Sequence, residues 1–96
     1  MATLEFEDRV QQSLRHLPAG ELAAVKRAFD RLEKEPGRLP DAKEFPSDPN
    51  TLLLAVSPEL RLIYRYENPQ NGLMHIVVED IVSRRTLERA AEQRAS

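Results

Sequence analysis

The sequence predicts an α+β domain: a short strand and two amphipathic helices, then a small, mainly antiparallel twisted sheet and a last helix. Three observations carry this. Between Phe6 and Leu32, large apolar residues recur every three or four positions, the period of a helix. Between Thr51 and Val82 they alternate or run unbroken, as in strands. Between these regions the chain carries Pro40, Pro46 and Pro49 with few large apolar residues. Helices and strands are therefore segregated along the chain, which defines α+β. At 96 residues the chain is one domain, residues 1–96, with one modest core.

Leu4-Glu5-Phe6 reads as a short first strand. Val10, Leu14 and Leu17 continue a stripe from Phe6, which predicts a helix over roughly 7–17. Pro18-Ala19-Gly20 breaks it. Leu22, Val25, Phe29 and Leu32 form the core stripe of a second helix, which stops at Glu35-Pro36-Gly37. The short link predicts that the two helices form an antiparallel hairpin over one face of the sheet. Residues 37–50 read as an extended loop. Thr51–Val56 is a short apolar strand, and Ser57-Pro58-Glu59 a turn. From Leu60 to Tyr66 the residues alternate: Leu60, Leu62, Tyr64 and Tyr66 face the core, and Arg61, Ile63 and Arg65 the open side. Residues 67–72, with Asn71-Gly72, read as a hairpin connection. Leu73–Val82 is apolar on both faces and reads as a central strand. Ser83 is placed to cap a helix over roughly 84–94, whose one large apolar residue is Leu87.

Composition narrows the function. The chain has no cysteine, which excludes disulfides, thiolate zinc sites and cysteine nucleophiles. It has two histidines, and no spacing of a metal site appears, so neither metal nor cofactor is expected. No apolar run reaches the roughly 20 residues that span a bilayer. No signal-peptide core follows Met1. A soluble, cytoplasmic protein with no membrane partner is expected. The net charge of −2 opposes general polyanion binding, so contacts to phosphate require local clustering. Residues 51–96 hold six arginines and no lysine, and Arg61, Arg65, Arg84 and Arg85 are candidates for a cluster on the open sheet face, suited to phosphate or an acidic partner. Alternation places His75 on one face with Leu73, Val77 and Ile81, as a core or sheet-edge residue. It places Glu79 and Asp80 on opposite faces, so they are no carboxylate pair. His16, near the end of the first helix, suits the helix dipole as a cation.

Several segments together resemble the RelE/ParE superfamily of toxins from bacterial toxin–antitoxin systems. Leu4-Glu5-Phe6-Glu7-Asp8-Arg9 resembles the family's first strand and helix start. Leu32-Glu33-Lys34-Glu35-Pro36 is similar to its close of the second helix. Leu60-Arg61-Leu62-Ile63-Tyr64-Arg65 resembles its arginine-leucine-(Ile/Val)-tyrosine strand, and Ile81-Val82-Ser83-Arg84-Arg85 its last-strand ending. The resemblance implies a protein antitoxin as partner, in a hetero-oligomer. It implies one of two activities: cleavage of mRNA on the ribosome, or inhibition of DNA gyrase without cleavage. A third possibility is a non-toxic protein-binding module on the same fold.

The nuclease branch requires a base, cations at the phosphate and an acid for the leaving oxygen. RelE-like nucleases are expected to carry lysines where this chain has Leu52 and Leu54, and a closing tyrosine near the place of Leu87. A YoeB-like arrangement would use Glu44 as base, Arg61 at the phosphate and Arg84 or Arg85 in place of a C-terminal histidine. Arginine holds its proton and is a poor general acid. The expectation is therefore a toxin or toxin-like component of the binding type, with the YoeB-like endoribonuclease as alternative.

Overall fold

The protein was described as a computed structural model. The structure describes residues 2–34, 39–45, 48–67 and 74–95. In chain order the elements are β1 (Ala2–Phe6), α1 (Asp8–Arg15), α2 (Ala19–Lys34), β2 (Lys43–Phe45), β3 (Asp48–Ala55), β4 (Leu60–Glu67), β5 (Met74–Ser83) and α3 (Arg84–Ala95). The strands form one sheet in the order β1-β5-β4-β3-β2. β1 runs parallel to β5, and the other pairs are antiparallel. The parallel pair follows from connectivity, because everything from α1 to β4 intervenes before the chain returns beside β1.

Register sorts the side chains into two faces. The inner face carries three cross-strand rows: Leu4–Ile76–Tyr66, Phe6–Val78–Tyr64–Leu52, and Ile81–Leu62–Leu54. α1 packs over β5 and α2 over β1, and they contribute Val10, Val25, Ala28 and Leu32 to this core. The Phe6 and Phe29 rings meet at 4.9 Å, joining β1 to α2. Burying each such leucine or valine stabilises the fold by about 1.5–3 kcal/mol. Leu39, just past α2, is 1% exposed and closes the core from the loop side. A two-pronged pair from Arg31 to Asp41 (2.8 and 3.1 Å) holds that segment to α2.

Most of the predicted elements stand, with corrections at particular places. The first helix is Asp8–Arg15, shorter than the stripe suggested. The stretch 37–50 is not all loop: Lys43–Phe45 is an edge strand and β3 begins at Asp48. Its short, polar composition hid it, yet that is what an exposed edge strand requires. Of the predicted connection over 67–72, Glu67 is instead the last residue of β4, and 68–72 lie outside the described residues. Strand β5 is internal, as expected, but it carries a bulge. The pairing passes from Tyr64–Val78 to Ile63–Asp80 and skips Glu79. Alternation is therefore interrupted at Glu79. Ile81 is on the inner face opposite Leu62, while His75 and Val77 are on the outer face, so His75 does not share a face with Ile81. Glu79 and Asp80 are likewise not on opposite faces. Asp80 pairs with outward Ile63, and Glu79 reaches outward Arg65.

Candidate functional site

The outer face is built of rows that the inner face does not share: Val82–Arg61–Ala55, Asp80–Ile63–Leu53–Lys43, Glu5–Val77–Arg65–Thr51 and Thr3–His75–Glu67. Four of its residues, Lys43, Arg61, Arg65 and His75, are basic in type, yet they do not form one cluster.

Arg61 lies at one end of the sheet. Its Nη1 donates to the Ser57 carbonyl at 2.7 Å and to the Leu60 carbonyl at 2.9 Å. The guanidinium thus folds back on the β3–β4 turn and adds to the backbone amides that the Ser57 and Leu60 carbonyls already accept. The same turn holds α3: the Arg84 amide donates to the Glu59 carbonyl at 2.8 Å. Ser83 caps α3 as predicted, its Oγ accepting from the Thr86 amide at 3.0 Å. These contacts bring Arg84 and Arg85, both exposed, to the end of the sheet where Arg61 lies. The Arg84 side chain reaches Glu88 one turn along α3, at 3.7 Å.

Arg65 is four residues further along β4, about 13 Å away at strand spacing. It is bonded to Glu79, to Glu67 at 2.9 Å, and approaches Glu7 at 4.0 Å. The Glu79 hydrogen bond, then that of Glu67, pushes its pKa above the usual arginine value. It is a cation already matched by carboxylates. The predicted four-arginine cluster therefore divides into Arg61 with Arg84 and Arg85 at one end, and Arg65 within an acidic group.

Glu44 stands apart from all of them. It pairs with Leu52 and shares the inner-face side, whereas Arg61 is on the outer face. Glu44 also lies two strands over and three residues along from Arg61, about 10 Å in each direction. One phosphate cannot lie within hydrogen-bond reach of both. Leu52 and Leu54, at the strand positions of interest for cleavage, are 3% and 0% exposed beneath the helices.

A second constellation was not found in the sequence. His75 Nε2 lies 2.8 Å from Glu5 Oε2 and 3.8 Å from Glu67 Oε2. The three residues come from β5, β1 and β4, separated by up to 70 positions. The register places each outward, but the parallel pairing of β1 with β5 that joins them leaves no spacing signal.

No protein-family model matches this sequence, and no curated protein matches it closely. Solved structures do match. A chain of the toxin–antitoxin complex RelBE2 from Mycobacterium tuberculosis is 27% identical, with 86% of this chain and 98% of that chain covered and a TM-score of 0.66. The YoeB/ParE toxin from Agrobacterium tumefaciens is 11% identical over 86% of this chain and 98% of its own, with a TM-score of 0.68. The isolated RelE toxin of E. coli is 17% identical and is covered, like this chain, over 100% of its length, with a TM-score of 0.66. By its strand order, its helical cover and this end-to-end correspondence, the chain has the fold of these toxins.

Proposed function

We propose that this chain is the toxin or toxin-like component of a bacterial type II toxin–antitoxin pair. In this reading it is held in a hetero-oligomer by a protein antitoxin, and it acts by docking on a protein target such as DNA gyrase. The observation that carries the toxin reading is the 27% identity to a chain of the RelBE2 complex, over 86% of this chain. The choice of docking over cleavage rests on the site. Arg61 is engaged by the Ser57 and Leu60 carbonyls, Arg65 is matched by glutamates, and Glu44 is on the opposite face from Arg61. Phosphoryl chemistry needs base and cation on one phosphate, and these residues do not supply that arrangement.

The test is pulse labelling after induced expression in a bacterial host, with methionine and thymidine incorporation followed together. Early loss of thymidine incorporation is the expected result. Early loss of methionine incorporation would replace docking with the ribosome-dependent mRNA nuclease. Continued growth with both incorporations intact would leave the non-toxic binding module as the better reading.

A further inference from the structure

We propose that Glu5, Glu67 and His75 form a binding site for a divalent transition-metal ion, with Zn²⁺ as its simplest occupant. One donor atom from each residue lies within 4.8 Å of the other two. Three donors around a tetrahedral zinc stand roughly 3.3–3.5 Å apart when bonds are about 2.0–2.2 Å. Small rotations of two glutamate side chains, 63% and 44% exposed, close that difference. Water completes the coordination from the solvent side.

The donors come from a rigid platform. Each lies on its own strand, and the three strands are hydrogen-bonded neighbours in the order β1-β5-β4. Arg65 Nη2 holds Glu67 Oε1 at 2.9 Å, which leaves Oε2 turned toward His75. Such outer contacts orient a ligating carboxylate. The field has the right sign: Glu7, Glu67 and Glu79 lie against the guanidinium of Arg65, and Glu5 adds a fourth carboxylate beside His75. An ion of charge +2 reduces that excess.

Donor chemistry selects the class of ion. One imidazole nitrogen and two carboxylates suit Zn²⁺, Ni²⁺ or Cu²⁺. Ca²⁺ takes oxygen ligands alone, and the imidazole nitrogen of His75 at the centre of the group suits it poorly. A bound ion would tie the parallel edge strand β1 to β5 and β4 at a point where a pair of side chains now does so.

The experiment is a ZnCl₂ titration of the intact protein, read by calorimetry, by thermal unfolding and by the ring-nitrogen NMR signals of the two histidines. The expected result is a rise in Tm, with the His75 ring shifting and the exposed His16 ring unmoved. His75→Ala should weaken Zn²⁺ binding more than about tenfold. Glu5→Gln, at an exposed side chain that leaves the fold intact, should weaken it as well. The proposal is overturned if the His75 ring stays still at millimolar ZnCl₂, if His16 responds instead, or if Glu5→Gln binds as tightly as the parent.

Discussion

On the inner face of the sheet, Leu52, Leu54, Leu62 and Tyr64 are at most 3% exposed, in one core with Val10 of α1 and Val25, Ala28 and Leu32 of α2. On the outer face β4 and β5 carry Arg65, Glu67 and Glu79, and those charged chains bond to one another. Val77 shows how far this goes. It points outward, yet it is 1% exposed in the row of Glu5 and Arg65. One face is thus held by removing apolar surface from water, which is insensitive to salt. The other is held by hydrogen-bonded ions at half-exposed positions, which salt and pH weaken.

The largest effect is expected where the two chemistries are exchanged. Leu54→Lys puts a charge at a position with no exposure, and an unpaired buried charge costs several kcal/mol. Circular dichroism and NMR should show loss of the folded state rather than a new nuclease. If this variant folds and cuts RNA, the inner face is far more permissive than its packing implies. Leu62→Ala keeps the chemistry and removes the volume. It should lower stability by about 3 kcal/mol in urea unfolding, with little change in added salt.

Arg65→Met tests the outer face. It deprives Glu67 and Glu79 of their shared cation and should cost about 1–2 kcal/mol at low salt. The loss should shrink at high salt, which distinguishes it from the Leu62 variant. The smallest effect belongs to an exposed pair away from the sheet. The Arg31 hydrogen bond holds the Asp41 carboxyl below the ordinary aspartate value. Its contribution is present above the unfolded aspartate value of about 3.9 and is lost as pH falls through the lower folded value. Both side chains are about half exposed, so it is worth less than about 1 kcal/mol. Asp41→Asn should flatten the acid limb of the stability curve by that amount, as read from urea midpoints between pH 5 and pH 2.

The fold was legible wherever a period is long. Val10, Val25 and Leu32 at helical spacing and Leu60, Leu62 and Tyr64 at strand spacing marked the core, and all are buried. Ser83 marked the start of α3. Edge strand β2 was not legible, because three residues carry no period and Lys43 and Glu44 are polar. Nor was the grouping of the outer face. Arg61 and Arg65 were placed outward correctly, but whether they meet Arg84 or glutamates depends on pairing and register, which one sequence does not encode locally. Glu5 and His75 illustrate the same point: each is unremarkable in its own strand, and they meet through the closing parallel pair.

The bulge at Glu79 has a consequence for the chain's tolerance of change. It acts as a phase shift between two halves of one strand. Upstream, odd-numbered residues face out; beyond it, odd-numbered Ile81 faces in. Deleting that single residue would restore strict alternation with both halves unturned: Val78 would still face in, Asp80 out and Ile81 in, and only the carboxylate that Glu79 gives Arg65 would be lost. The bulge is thus the place in β5 where the length of the chain can change by one residue at the cost of an outer-face ion pair and not of the core.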